Sequence, residues 1–254
     1  MKEPLDLAMD TAGIARVTLN RPKSANAIDP ALADSLMQAL EWLANERKTR
    51  VVVLLGNGRT FCAGLDLKAM KAVVGASFEE NYADALKLAQ LLHRLHTMPV
   101  PTLAVIPGAA IGLGVGLAAA CDVVLASDKA TFRFSEVRLG IIPAIISPYV
   151  IAAMGARACQ RYFLSAEAFD AAEAHRLGLV HAVSDLENIG QSAAQIVGEL
   201  LAGKREAQRA AKTLIEEMRF AAPTTAVIEE TARRLAEIRR TPEAQTALTE
   251  FLDH

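Results

Sequence analysis

The sequence predicts an α/β core with a largely parallel sheet, followed by an all-helical tail, and three observations carry that expectation. "VVVLLG" (Val51 to Gly56) is apolar throughout and β-branched at its start, as suits a strand covered on both faces. Strand-like and helix-like runs alternate from there to about Ser127, which favours parallel crossovers. Beyond about Pro143 the strand signal nearly vanishes, and apolar residues recur at helical spacing.

In chain order, Leu5 to Met9 and Ile14 to Leu19, separated by the turn residues Asp10 to Gly13, read as a hairpin. After the loop "NRPKSANAIDP" a helix is expected from Pro30 to about Arg47, with Leu32, Leu36, Leu40 and Leu43 on one face. A second cycle has a long helix marked by Phe78, Tyr82, Ala85, Ala89 and Leu92, broken by Pro99 and Pro101, then the strand "TLAVI". "DVVLAS" is a third strand. Later segments read as helices: "PAIISPYVIAAMG", "RACQRYFLS" and "DAAEAHRLG", the last opened by Asp170 with Glu173 completing a capping box. "LVHAV" is the one further strand expected. In "VIEETARRLAEI" the residues Val227, Ile228, Thr231, Leu235 and Ile238 share a helical face that must cover something.

Composition narrows the function. With 27 Lys+Arg against 29 Asp+Glu, the net charge of −2 gives no electrostatic case for nucleic acid or an anionic membrane as partner. The N-terminal "MKEPLDLAMD" lacks a signal-peptide pattern, and no stretch reaches the ~18 apolar residues a membrane span needs, so a cytoplasmic protein is expected. Cys62, Cys121 and Cys159 are widely spaced in apolar surroundings, which suits buried thiols and neither a zinc cluster nor a disulfide framework.

The most informative stretch is "GAAIGLGVGLAAACD" (Gly108 to Asp122), bare backbone feeding an apolar run. Such a turn brings backbone N–H groups at a helix start close to something anionic. "GVGLAA" matches a dinucleotide fingerprint in form, but its apolar run is short for a crossover helix, and a P-loop is excluded because no Gly-Lys-Ser/Thr follows. Close helix packing at small residues is the purely structural alternative. "RTFCAGLDLKAM" (Arg59 to Met70) repeats the arrangement, with Asp66 and Lys68 at the opening of a short helix. Two N–H groups from two such loops are what a carbonyl oxygen needs as it becomes an oxyanion.

These stretches, with "LNRPKSANAI", "ATFRFSEVRLGIIP" and "EAHRLGLVHAV", occur in order and at compatible spacing, and the chain resembles the enoyl-CoA hydratase/isomerase (crotonase) family. The resemblance implies a (ββα)n superhelix over residues 1–190 holding an acyl-CoA site, and a C-terminal α-helical trimerisation region over 191–254. It implies an enoyl-CoA thioester as ligand, no metal, no cofactor beyond the coenzyme A of the substrate itself, and a homotrimer or homohexamer. By position, the N–H groups of Leu65 and Leu113 would form the oxyanion hole. Ala63, Asp66 and Lys68 would lie beside them, the Ala63 carbonyl facing the adenine, and Lys23 and Ala25 would touch the nucleotide. Relatives usually have Gly where this chain has Leu113, so that donor requires a negative φ.

Glu136 falls where the family places a catalytic glutamate, while a second glutamate used by many hydratases is replaced by Gly116. One carboxylate can hydrate a C2=C3 bond, first as base toward water and then as acid. It can equally move a double bond, which keeps a 3,2-enoyl-CoA isomerase open, and a non-catalytic acyl-CoA binder is the further alternative. A closer similarity to bacterial methylglutaconyl-CoA hydratases implies a branched enoyl thioester with a second carboxylate. In that reading the space at Gly116 admits the branch, and Arg133 or Arg138 meets the carboxylate.

Overall fold

In the computed structural model of the protein, residues 3–253 are described. By contact density the chain divides into a unit ending at Val197 and a second beginning at Gly198.

The first unit opens with the hairpin of β1 (Leu5–Met9) and β2 (Ile14–Leu19), paired antiparallel. Asp10 closes its turn, Oδ1 accepting from the N–H groups of Ala12 and Ile14 at 3.0 Å each. Helix α1 (Pro30–Asn45) is capped by Asp29, which accepts from Leu32 N–H, and it buries Leu32, Leu36, Leu40 and Leu43 as the spacing required. Strand β3 (Val51–Gly56) follows, then α2 (Leu67–Ala72) and α3 (Phe78–His96), the latter opened by a full capping box of Ser77 and Glu80. Next come β4 (Thr102–Ile106), β5 (Ala109–Ile111), α4 (Leu113–Ala120), β6 (Val123–Ser127) and β7 (Thr131–Arg133). Helix α5 (Ser147–Ser165) carries a break at Gly155, and β8 (Ala168–Asp170), α6 (Ala171–Arg176), β9 (Ala182–Ser184) and α7 (Ile189–Ala202) complete the order as far as the unit boundary.

Two sheets result. The larger has strand order β1-β2-β3-β4-β6-β9, parallel beyond the hairpin, and the smaller has β5-β7-β8. Each of the pairs β4/β5 and β6/β7 is therefore divided between the sheets, and a helix follows: this is the ββα repeat. The core lies between the larger sheet and α1, α3 and α4, with Leu36, Leu40, Leu54, Leu92, Ile106 and Leu117 at most 1% exposed. Burying such side chains contributes about 2 kcal/mol each.

Three local expectations are corrected. The residues of β5, β7 and β8 were not anticipated as strands, since three residues hold too little alternation to register. "LVHAV" is a strand only from Ala182; Leu179 and Val180 instead fill the core. Asp170 does accept from Glu173 N–H at 2.8 Å, but the Glu173 carboxylate turns away to Tyr162 Oη–H and the Arg176 guanidinium rather than closing the box, and those donors hold it down at about 2.

His181, just before β9, pairs twice with Val124: its N–H donates to Val124 O at 2.9 Å and its Nδ1 accepts from Val124 N–H at 3.1 Å. The imidazole thus stands in for a strand carbonyl and must be neutral. Burial depresses its pKa, opposed by Asp122 and reinforced by His175. With the folded value lowered, this contribution to stability is complete above the ordinary histidine value of 6.5 and is lost as pH falls below it. Thermal melts should drop between about pH 7 and pH 5 by more in the wild type than in His181→Asn, which keeps an acceptor but does not titrate; parallel curves would refute the assignment.

The second unit contains α8 (Arg205–Met218), α9 (Thr225–Arg239) and α10 (Pro242–Leu252), none of which buries a residue in the single chain. Thr231, Leu235 and Ile238 of α9 face Ala207, Ala210 and Leu214 of α8 across an open groove. Glu230 sits beneath Arg233 and Arg234, whose guanidinium groups hold its carboxyl down at about 2.

Candidate functional site

The two glycine-bearing loops lie against each other. Residues 61–62 run beside β5, with Phe61 N–H donating to Ala109 O at 3.0 Å and Ile111 N–H to Cys62 O at 2.9 Å. A β-carbon on Gly114, in the first turn of α4, would lie 2.3 Å from Cys62 O, and one on Gly64 would lie 3.7 Å from the Leu113 nitrogen. Bare backbone is needed here so that one loop can touch the other.

On the first loop, Gly64 O accepts from Ile28 N–H at 2.7 Å and Asp66 N–H donates to Ile28 O at 2.9 Å, so Leu65 between them turns its own N–H the other way. On the second, Gly112 takes the positive φ (+52°) and Leu113 becomes the first residue of α4 without one. The condition on Leu113 as a donor is therefore met. Neither Leu65 N–H nor Leu113 N–H donates to any acceptor among the described residues.

Glu136 begins a single 3-10 turn (Glu136–Leu139) directly after β7 and Ser135. Its Oε1 is where a β-carbon on Gly112 would come within 3.0 Å, so the carboxylate rests on the residue preceding Leu113. Its Oε2 is buried with no hydrogen-bond partner. Burial raises the Glu136 pKa, against hydrogen bonds from its own and the Ser135 backbone N–H. A carboxylate that is held off water and lacks a partner on one oxygen is unlike the solvated glutamates of a surface.

The remaining sequence-predicted residues divide. Ala25 O accepts from Ala63 N–H at 3.0 Å, which brings the Lys23–Ala25 turn beside the first loop, and the side chains of Lys23 and Lys68 are exposed. Asp66 is committed elsewhere: it caps α2 by accepting from Lys68 N–H at 2.8 Å and pairs with Arg21 Nη2 at 3.0 Å, and these, in that order, followed by the Ala69 N–H, lower its pKa against burial. The space at Gly116 is not open. A β-carbon there would meet Ile146 Cγ2 at 2.2 Å and Leu92 Cδ1 at 3.6 Å, so the room expected for a substrate branch is taken by the Ile146 side chain. Arg133 donates Nε–H to Ala166 O at 2.8 Å.

Two residues that sequence reasoning passed over hold this loop. Arg21 bridges Asp29 (2.9 Å) and Asp66 (3.0 Å) and also donates to Ala27 O. Asn26, fully buried at φ +55°, accepts from Arg21 N–H and donates to Asn57 O at 2.9 Å and Thr60 O at 2.7 Å. Both stand in the quoted string "NRPKSANAI", but only the fold shows their partners.

Beside Leu65 opens a cavity of about 820 Å³. Its walls are Leu65, Leu67, Met70, Val74, Leu88, Leu139 and Ile141 among others, with Lys71, Lys87, Asp34, Glu80 and Asp84 also present, and Leu113, Arg133, Glu136 and Arg138 are not among them. The three cysteines are buried and in no disulfide, and the Cys62 thiol is pushed up to about 12 by burial, so it is no nucleophile. Among the described residues no group of His, Cys, Asp and Glu could hold a metal ion, and no helix is long and apolar enough to cross a membrane.

The two loops thus each carry an amide without an acceptor, and a desolvated carboxylate rests beside the second. The enoyl-CoA hydratase/isomerase family model matches residues 9–254. An enoyl-CoA hydratase from Shewanella pealeana superposes with a TM-score of 0.95 at 35% identity, covering 98% of this chain and 93% of that one. AtuE of Pseudomonas aeruginosa gives 0.92 at 33%, covering 98% and 96%. The 2,3-dehydroadipyl-CoA hydratase of Escherichia coli is 34% identical over 204 residues, 79% of this chain and 77% of that one. The enoyl-CoA hydratase ACTT6 of Alternaria alternata is 34% identical over 69% of this chain, which spans only 57% of that relative's length. The chain belongs to the enoyl-CoA hydratase/isomerase family and is an enzyme with the crotonase-like fold.

Proposed function

We propose that the protein adds water across the C2=C3 bond of an enoyl-CoA thioester, with Leu65 N–H and Leu113 N–H on the thioester oxygen and Glu136 as the one acid/base group. The observation that carries this reading is the carboxylate of Glu136 resting on Gly112, one residue from an amide with no acceptor. Glu136 takes a proton from water as the water oxygen bonds to C3. The C=C electrons move onto C2 and the thioester oxygen, giving an enolate held by the two amides, and the Glu136 acid then returns its proton to C2. Lys23 and Lys68, exposed beside the first loop, are proposed for the coenzyme A phosphates, with Ala25 and Ala63 along the nucleotide.

For the acyl group, similarity to methylglutaconyl-CoA hydratases argues for a branched dicarboxylic substrate. Two observations argue otherwise: Ile146 fills the place of the branch, and the cavity beside Leu65 is walled mainly by apolar side chains. We therefore favour an enoyl thioester with a hydrocarbon acyl group. A panel of straight, branched and dicarboxylic 2-enoyl-CoA esters, followed by loss of the conjugated thioester absorbance, should show turnover of octenoyl-CoA at least about tenfold above methylglutaconyl-CoA. The reverse order would restore the dicarboxylic reading, and no hydration of any member would sink the hydratase. The lone carboxylate also suits a 3,2-enoyl-CoA isomerase, which 3-enoyl esters in the same panel would expose as a gain in absorbance.

Self-association as a homotrimer or a pair of trimers is also proposed. Ile215, Phe220 and Phe251 of the second unit are 67%, 87% and 78% exposed in the single chain, as suits surfaces covered by other copies.

A further inference from the structure

The segment from Glu136 to Ile146 returns to α4 twice, one helical turn apart. At its start the Glu136 carboxylate lies on Gly112; at its end Ile146, 1% exposed and the cap residue of α5, drives its branch into the notch that Gly116 leaves. A β-carbon at Gly116 would sit 2.2 Å from Ile146 Cγ2 and 2.9 Å from its Cβ, so the two residues fit only as a pair of large and absent side chains. Gly116 N–H donates to Gly112 O at 3.1 Å, which makes both contacts parts of one rigid turn. Between them the segment is tied to itself by Ile141 N–H on Glu136 O at 3.2 Å and Ser147 N–H on Ala144 O at 3.2 Å.

We infer that Ile146 is a positioning residue for the proposed reaction: its side chain, keyed into the Gly116 notch, fixes the distance between the Glu136 carboxylate and the amide end of α4 and keeps water from reaching the carboxylate from behind. The contact is apolar and touches no reacting atom, so its effect passes through Glu136. A displacement of the order of 1 Å in such a group is enough to cost orders of magnitude in rate. The raised pKa of Glu136, caused by burial, is consistent with a dry surround.

This inference rests on the assignment of Glu136 as acid/base, and the experiment separates the two. Ile146→Ala empties the notch, Gly116→Ala jams it, and the double variant removes three carbons at 146 while adding one at 116, which relieves the clash. Expected for Ile146→Ala is a fall in kcat on crotonyl-CoA of about tenfold or more with KM within about twofold, together with an acid limb of the kcat profile displaced to lower pH. Gly116→Ala should also lose kcat, and the double variant should exceed the Gly116→Ala single. Ile146→Val keeps Cγ2 and should retain most of the rate, whereas Ile146→Leu, of equal volume but lacking the branch at Cβ, should not. Should Ile146→Ala fold poorly, the Val and Leu pair decides the matter. The carboxyl titration of Glu136, read by carbon NMR on the free protein, should fall in Ile146→Leu and needs no turnover. Wild-type kcat and an unmoved titration in Ile146→Leu would overturn the inference while leaving Glu136 in place; a Glu136→Gln protein that still hydrates would overturn the assignment beneath it.

Discussion

Glu136→Gln is expected to lower hydration of a 2-enoyl-CoA ester by about 10³-fold while leaving binding of an acyl-CoA within a few-fold of wild type. The glutamine is nearly the same shape, so the side chain can still rest on Gly112, but it can neither take a proton from water nor return one to C2. Because that carboxylate is the one assigned to both proton transfers, no second group in the proposed site covers its loss. Each of the two amides is assigned about 3 kcal/mol of enolate stabilisation, which the substitution leaves in place and which keeps residual activity above the uncatalysed rate. Calorimetric titration with a saturated acyl-CoA, set beside the absorbance assay, separates binding from chemistry, and wild-type turnover by the variant would remove Glu136 from the mechanism. In the wild type the base must be ionised. Its pKa is raised by burial, so activity should fall on acidification while the pH is still above the ordinary glutamate range.

Gly114→Ala should be a severely damaging single-methyl addition, because it falls where the two loops of the proposed site touch. The new carbon would stand 2.3 Å from the Cys62 carbonyl oxygen, with Cys62 Cβ at 2.9 Å, and both are fixed by a backbone segment that β5 holds in place. Nothing there can swing aside, so the two loops must part. The loss of stability should reach about 3 kcal/mol, the upper range for an overpacked core, and is read as a lowered denaturant midpoint. Any folded fraction should also have lost most of its turnover, since separating the loops separates Leu65 N–H from Leu113 N–H. By contrast Gly140→Ala is expected to be mild, a positive φ being its main difficulty, as nothing lies within 4 Å of the added carbon.

How far the sequence could be read follows from the range of each signal. The parallel strands β3, β4 and β6 were legible as largely apolar runs of five or six residues, and the amphipathic α1 and α3 because burial on one stripe leaves a period that spans ten or more residues. The short strands of the second sheet were not, and they are what bring the two glycine loops together. Glu136, Leu65 and Leu113 were reached through resemblance in ordered motifs; composition alone left a dinucleotide or a plain helix contact open. Arg21 and Asn26 escaped notice because their roles lie in partners at 29, 57, 60 and 66, distances along the chain that no local pattern encodes. The emptiness inferred at Gly116 failed for the same reason. A missing side chain says nothing about what fills its place, and Ile146 stands thirty positions away.

The unacceptored amides of positions 65 and 113 are main-chain groups, while the side chains they carry face different surroundings: that of Leu65 borders the large cavity, and that of Leu113 is 4% exposed in the core. Holding and selecting are thereby assigned to separate halves of the same residue. Under the proposed function, exchanging the isobutyl group at 65 for a smaller or bulkier one would redraw the chamber without disturbing the amide assigned to the thioester, and such a scaffold could drift from one acyl length to another while its chemistry stays put.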